Sequence, residues 1–347
     1  MEKKTIAVLF GGNSSEYEVS LQSAGSVLEN IHREKYEVVP IGITRQGEWF
    51  HYKGEIEKIK DNTWSEDTDN LCPVVVSQNP ALAGIIELGE SEYKSIKLDL
   101  AFPVLHGKNG EDGTVQGVFE LANIPVVGCG TLSSALCMDK DMAHRLAGAA
   151  GAAVPKSVTI ECSMMAELNK LTEELRYPLF VKPVRAGSSF GITKIYQQDD
   201  LDAAVKLASQ HDDKVIIEEN IEGFEVGCAV LGKEELIVGR VDEIELAEGF
   251  FDYTEKYTLK SSKIHMPARI DAQSEKRVQE TAIKIYRALG CSGFARVDMF
   301  YTPSGEIVFN EVNTIPGFTS HSRYPNMMKG IGLSFAEMLD KLIGLYV

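Results

Sequence analysis

A six-residue apolar run, Thr5–Phe10, ends on Gly11-Gly12 and leads at once into a helix-like stripe through Val27, Leu28 and Ile31. A buried strand that turns on glycine into a helix must return to its sheet by a crossover, as parallel strands do. Val38–Ile43, Leu98–Val104 and Pro125–Gly128 read as the returning strands. Their apolar runs are continuous rather than alternating, which predicts a parallel sheet covered by helices. Ser15-Glu16-Tyr17-Glu18 has the spacing of a capping box and predicts the helix start. The polar stretch Gly54–Asn70 is expected to be peripheral.

The character changes after Val127. Ser133–Ala150 reads as helical, Leu179–Pro183 and Ile192–Tyr196 as short strands around the turn Arg185–Gly191, and Asp199–Gln210 as a helix. Strands then follow one another: Val215–Glu218, Glu225–Leu231, Leu236–Val241, Ala295–Tyr301 and Glu306–Val312. One long helix, Ser274–Leu289, interrupts them, and Ser334-Phe335-Ala336-Glu337 opens a last one. The reading is one α/β unit followed by two α+β units, in keeping with 347 residues at about 150 per domain.

Charge narrows the partners. Lys and Arg number 35 against 51 Asp and Glu, so 35 − 51 = −16, a field that disfavours nucleic acid and anionic membrane. The runs Thr5–Phe10 and Leu146–Val154 are too short for a signal-peptide core or a membrane span. Cys72, Cys129, Cys137, Cys162, Cys228 and Cys291 show no C-x-x-C pair and read as reduced thiols of a cytoplasmic protein.

Two motif look-alikes fail on context. Gly187-Ser188-Ser189-Phe190-Gly191 has the hydrolase-elbow pattern but precedes a strand, not a helix. Gly227–Lys233 approaches a phosphate loop, but Glu234 stands where the magnesium-binding hydroxyl belongs. The strongest constellation is Arg296-Val297-Asp298 with Asn310-Glu311-Val312-Asn313. Residues two apart on a strand share a face. A hairpin turning at Thr302–Gly305, in the register that pairs Asp298 with Glu311, would gather Arg296, Asp298, Glu311 and Asn313 together. Two carboxylates and an amide oxygen suit magnesium shared with phosphates. A solvated edge hairpin is the competing reading, although Asn-x-x-Asn beside Glu is poor strand material. Lys182 and Arg185 lead into the Gly/Ser turn Ala186–Gly191, which suits a nucleotide phosphate or an incidental exposed turn. The Gly-rich loop Leu105–Gly113, carrying His106, follows a buried strand, where α/β sheets bind ligands.

Together these segments resemble the D-alanine–D-alanine ligase family of the ATP-grasp superfamily. The matching stretches are Leu9–Gly12 with Glu16 and Val19-Ser20; Leu105–Gly113; Met138-Asp139-Lys140; Val181-Lys182-Pro183 with Gly187-Ser188-Ser189; Ile217-Glu218-Glu219; Arg296-Val297-Asp298; and Asn310–Ser322. They occur in family order along nearly the whole chain. The resemblance implies a three-domain ATP-grasp fold: an N-terminal α/β substrate-binding domain over 1–127, a central domain over 128–215, and a C-terminal domain over 216–347 with the metal and acceptor sites. It implies a cytoplasmic ligase that phosphorylates the carboxylate of a first D-alanine with ATP, after which a second amino acid attacks.

The same resemblance assigns roles. Lys140, Lys182 and Lys256 would meet ATP phosphates, and Glu218, Glu219, Ile221 and Glu225 map onto the nucleoside pocket. Asp298, Glu311 and Asn313 would hold two magnesium ions, or manganese. Arg296 and the backbone at Gly317 would stabilise the tetrahedral oxyanion. Glu16 would pair with the first amine, with His106 near the donor carboxylate. Ser188 and Tyr257 would bridge loops over the site, and Ser322 would anchor the acceptor. A homodimer is usual in the family.

His321-Ser322 is followed here by Arg323-Tyr324-Pro325, where housekeeping ligases commonly carry an apolar residue. This is similar to the vancomycin-resistance ligases, whose D-alanine–D-lactate members lose the Lys-Tyr of the mobile loop. Phe251–Tyr257 keeps Lys256-Tyr257, so the chain looks most like the D-alanine–D-serine branch, of the VanG type, with Arg323 at the acceptor subsite. A housekeeping D-alanine–D-alanine ligase and a non-catalytic nucleotide-binding protein are the competing expectations.

Overall fold

The structure, a computed structural model, describes residues 3–89, 92–161, 163, 167–187, 190–246 and 262–347. Its first sheet contains β1 (Lys4–Gly11), β2 (Tyr36–Ile43), β3 (Trp49–Tyr52), β4 (Leu71–Val76), β5 (Gly84–Leu88), β6 (Tyr93–Lys97) and β7 (Leu100–Pro103). Their order is β6-β5-β4-β3-β2-β1-β7. β1 lies between β2 and β7 and is parallel to both, with Ile6, Val8 and Phe10 fully buried. Pro125–Gly128 contributes one parallel bridge, Val126 to Ala101. The parallel core is thus as expected, but β3 to β6 extend it as an antiparallel meander. These short strands alternate weakly, so periodicity did not mark them.

Two local expectations change. The helix Tyr17–Asn30 starts after Glu16, with no side-chain cap; the Ser14 hydroxyl instead accepts the Glu16 N–H at 3.1 Å. A formed capping box occurs at Ser334 and Glu337, opening Phe335–Gly344. The stretch Gly54–Asn70 is not merely peripheral: Trp64 is fully buried, packs edge-on against Phe10 at 5.0 Å, and donates to the Tyr17 hydroxyl at 2.9 Å.

The second sheet, β8 (Ser157–Glu161), β9 (Leu179–Pro183), β10 (Thr193–Ile195) and β11 (Lys214–Glu219), is antiparallel in the order β10-β9-β11-β8. β11 runs across the 215/216 boundary set from the sequence. The helix Leu201–Ala208 covers this sheet with Leu201, Ala204, Val205 and Ala208. The helical stretch 133–150 is two helices, Thr131–Met138 and Lys140–Ala149, broken at Asp139. The Asp139 carboxylate caps the second by accepting the Met142 N–H at 2.9 Å, as short acidic side chains do at helix starts.

The third sheet has β12 (Phe224–Gly232), β13 (Leu236–Leu246), β14 (Ser262–His265), β15 (Gly293–Tyr301) and β16 (Ile307–Asn313), antiparallel in the order β14-β13-β12-β15-β16. The helix Ala272–Ala288 packs Val278, Ala282, Ile285 and Tyr286 onto one face. That leaves the other face to carry the polar constellation. The segment after β16 then crosses to the first unit, where Phe318 and Tyr324 join Phe102 and Phe294 in an aromatic cluster. This packing brings residues far apart in the chain to one cleft.

Candidate active site

β15 and β16 pair Arg296 with Asn313 and Asp298 with Glu311, with a bulge between Asp298 and Met299. The period of two therefore turns Arg296, Asp298, Glu311 and Asn313 to one side. Asp298, almost wholly buried, receives Arg296 through Nε at 2.8 Å to Oδ1 and Nη2 at 2.6 Å to Oδ2. Asn313 Nδ2 donates to Asp298 Oδ2 at 2.8 Å. Burial disfavours the Arg296 charge, but the adjacent Asp298 carboxylate more than offsets this and raises its pKa.

A cleft in front of this face is lined by Glu16, Glu111, Lys140, Gly187, Glu311 and Asn313, with Cys137 and Thr314 at its wall. Glu16 ends the turn after β1, Gly107 lies in the loop after β7, and Gly187 lies in the turn after β9. They meet closely: a Cβ on Gly107 would stand 2.5 Å from Glu16 Oε2, and one on Gly187 3.1 Å from the same atom. Gly107 also has a positive φ of 71°. Only glycine meets both requirements without displacing the carboxylate.

The lysines come from two elements. Lys140 opens its helix and donates to the Ala186 carbonyl at 2.8 Å, tying the helix to the Gly-rich turn. Lys182, on β9, donates to Glu218 Oε2 on β11 at 2.6 Å. Burial pushes the Glu218 carboxyl up, but the charges of Lys182, His144 and Lys140 bring it below the ordinary carboxylate value. Glu219 turns to Arg176, accepting its backbone N–H at 3.1 Å and Nη2 at 3.3 Å. Ile221 is half-buried.

The loop after β16 is held by the first unit. Ile315 N–H donates to Glu111 Oε1 at 3.0 Å, and His106 Nδ1 donates to the Ile315 carbonyl at 2.8 Å. A carbonyl only accepts, so the proton sits on Nδ1 and Nε2 accepts from the Ser23 hydroxyl at 3.1 Å. Ser23 Oγ in turn accepts the Phe318 N–H at 3.2 Å. Burial lowers the His106 pKa, which favours the neutral ring. Gly317 lies beside Ser322, where a Cβ would stand 3.0 Å from Ser322 Oγ; that hydroxyl accepts the Thr319 N–H at 3.0 Å.

Arg323, expected at the acceptor subsite either directly or through neighbouring side chains, sits in a buried ion-pair network. It is buried and donates through Nε and Nη2 to Asp242 at 2.7 and 2.8 Å, and through Nη1 to Glu225 at 3.1 Å. Its Nη2 also lies 3.5 Å from Asp298 Oδ1. The arginine therefore joins Glu225 to the sheet face that carries Asp298. Asp242 was missed because the strand was ended at Val241, whereas β13 continues to Leu246. Ser23 lay inside an ordinary amphipathic helix and gave no local signal. Ser188, Lys256 and Tyr257, and with them Ser189, lie outside the described residues; β10 follows the turn, as the rejected hydrolase elbow would not.

The donor set can be tested for magnesium on its chemistry. Among the described residues no three His, Cys, Asp or Glu converge as a self-sufficient metal cage. Glu311 and Asn313 line a cleft that also presents Lys140, with the Asp298 carboxylate buried on the same sheet face, and such oxygen donors beside a cation suit an ion that shares its coordination with phosphate oxygens and water. The residues fit the ion. Among the described residues no helix is long and apolar enough to cross a membrane.

Comparison with known proteins agrees with this geometry. Residues 5–129 match the model of the D-ala D-ala ligase N-terminus, and residues 146–344 that of the C-terminus. The crystal structure of the VanG D-Ala:D-Ser ligase from Enterococcus faecalis superposes with a TM-score of 0.94 at 72% identity, covering 100% of both chains. The vancomycin B-type resistance protein VanB of Enterococcus faecalis is 47% identical over 100% of this chain and 99% of its own. A D-alanine–D-alanine ligase of Acetivibrio thermocellus is 43% identical over 100% of this chain and 96% of its own. The three-sheet ATP-grasp fold, the ordered motifs and these matches agree, and the chain belongs to the D-alanine–D-alanine ligase family.

Proposed function

We propose that this ligase joins D-alanine to D-serine, with ATP, through a D-alanyl phosphate, and so supplies altered peptidoglycan precursors for vancomycin resistance. The observation that carries the ligase chemistry is the convergence of Arg296, Asp298, Glu311 and Asn313 on one sheet face at the cleft shared with Glu16 and Lys140. The likeness to a D-Ala:D-Ser ligase at 72% identity and the Arg323–Asp242–Glu225 network beside Ser322 support D-serine as acceptor.

The residues divide the work. Lys140 and Lys182 neutralise ATP phosphates, and Lys256 joins them at the transferred group. Glu218, Glu219, Ile221 and Glu225 form the nucleoside wall. Asp298, Glu311 and Asn313 would hold two magnesium ions, or manganese, which would supply positive charge to the transferred phosphoryl group. Glu16 pairs with the amine of the first D-alanine, with His106 behind its carboxylate. By the family resemblance, Ser188 and Tyr257, outside the described residues, would help close the site. Arg296 and the Gly317 backbone stabilise the oxyanion as the second amine attacks, and phosphate leaves. Ser322 helps anchor the acceptor, and Arg323 shapes the acceptor subsite through Asp242. The working organisation is three domains, 1–127, 128–215 and 216–347, in a cytoplasmic homodimer.

The test gives D-alanine as donor with D-serine or D-alanine as acceptor, near neutral pH, and identifies products by mass. A dominant D-alanyl-D-serine product supports the reading. Dominant D-alanyl-D-alanine at equal acceptor concentrations would make the chain a housekeeping ligase, as the 43% identical relative is named.

A further inference from the structure

His144 lies within the helix Lys140–Ala149, behind the nucleotide lysines, and is buried. Its Nε2 is 2.8 Å from the Asn310 carbonyl. A carbonyl only accepts, so Nε2 carries a proton and donates. The ring also packs edge-on against Phe309, with centroids 5.4 Å apart at 72°. Both contacts fall just before Glu311 on β16. The imidazole is thereby anchored on one side.

Its other side faces the nucleoside wall. Nδ1 stands 3.5 Å from Glu218 Oε1. Both atoms are buried and without a hydrogen-bond partner among the described residues, an arrangement that costs free energy unless a change of state satisfies them. Glu218 has its other oxygen, Oε2, on Lys182 at 2.6 Å. A lysine at this place has a stronger attraction in a triphosphate, which carries several charges and is less enclosed by protein. When Lys182 turns to it, Glu218 loses its hydrogen-bonded partner, and His144 is the side chain already aimed at the free oxygen.

We propose that His144 is a positioning residue for nucleotide binding: once Lys182 leaves Glu218 for the phosphates, the ring takes up a proton from solvent at Nδ1 and, as an imidazolium donating from both nitrogens, holds the Glu218 carboxylate in place. A small rotation of either side chain closes the 3.5 Å gap to hydrogen-bond length. Anchored to the Asn310 carbonyl, the same ring ties the nucleoside wall to the strand that presents Glu311. This inference rests on the ATP-dependent ligase reading above.

Two substitutions separate the ring's two nitrogens. His144→Gln reaches the Asn310 carbonyl in place of Nε2 but offers nothing at Nδ1. His144→Asn places a polar group at Nδ1 and gives up Asn310. Binding of magnesium ADP is measured by calorimetry on the full-length protein and both variants, with steady-state kinetics alongside. His144→Gln should weaken nucleotide binding by roughly tenfold or more, the usual scale of a buried hydrogen bond to a charged group. His144→Asn should stay within about threefold of the parent, and in both variants turnover at saturating ATP and the KM for D-alanine should change less than about threefold. Parent-like nucleotide binding by His144→Gln would overturn the inference, as would an equal loss in both variants with a lowered Tm. If His144→Gln does not fold, His144→Asn decides alone: retained affinity supports the inference and a tenfold loss overturns it. Should the parent bind no nucleotide, the ligase reading itself fails.

Discussion

The guanidinium of Arg323 meets the carboxylate of Asp242 in a two-point pair, 2.7 and 2.8 Å, although the residues are 81 positions apart. Asp242 is fully buried and also accepts the Gly227 N–H at 3.0 Å. The pair is enclosed rather than solvated, so removing one partner leaves the other as an uncompensated buried charge. Arg323→Leu should therefore lower unfolding free energy by about 3–5 kcal/mol, and Arg323→Leu with Asp242→Leu by less than that. Urea denaturation of the two variants checks the difference.

The same pair bears on acceptor choice. A site that hydrogen-bonds a substrate hydroxyl discriminates strongly against an analogue lacking it, whereas an apolar pocket does not. The D-serine to D-alanine ratio of kcat/KM should fall at least about tenfold in Asp242→Asn, because the arginine loses its anchoring charge. An unchanged ratio in competition assays would remove this network from acceptor selection.

Gly227 makes room for the network. A Cβ there would stand 2.4 Å from Arg323 Nη2 and 2.7 Å from Asp242 Oδ1, both shorter than side chains tolerate. Gly227→Ala should displace the guanidinium and reduce D-serine turnover more than nucleotide affinity. Acceptor kinetics beside ADP calorimetry read the two effects separately.

Glu311→Gln should abolish ligation while leaving the fold intact. If Glu311 holds magnesium as proposed, an amide cannot supply the charge of its carboxylate, and phosphate release should fall by at least about 10²-fold. Release within a few-fold of the parent at saturating magnesium would remove Glu311 from the metal site. Arg296→Lys should likewise cost about 10²–10³ in turnover with little change in ATP affinity, because a lysine point charge does not reproduce the planar fork.

Stability should depend on pH through His106. Its folded pKa is depressed by burial, while the unfolded ring titrates near about 6.5. Below that value the unfolded chain binds the extra proton and the folded one does not, so stability falls as pH drops from about 6.5 toward the folded pKa. His106→Asn keeps a donor toward Ile315 and removes the titration, so its urea midpoint should vary less between pH 7.5 and 5.5. His51, also depressed chiefly by burial, leaves a residual slope.

What could be read from the residues alone follows from local periodicity. β1, the helix after it, β9, and the β15–β16 hairpin were legible because a buried strand has a continuous apolar run and a period of two fixes which side chains share a face. That rule also placed Arg296, Asp298, Glu311 and Asn313 together, given the register Asp298 to Glu311 that the sheet adopts. The ordered motifs carried the family. Other features depended on closure of the chain in space. Trp64 lies in a polar stretch, and only packing against Phe10 and Tyr17 buries it. Arg323 was legible as an unusual charge, but its partners were not, because Asp242 and Glu225 come from neighbouring strands of a sheet whose order no local pattern specifies. His144 faces Glu218 only because a helix from one segment lies over a strand from another. Sequence determined which residues could carry charge and which face of each element they occupy; the tertiary structure decided which charges meet, since a buried charge is stable only where long-range packing brings it a partner.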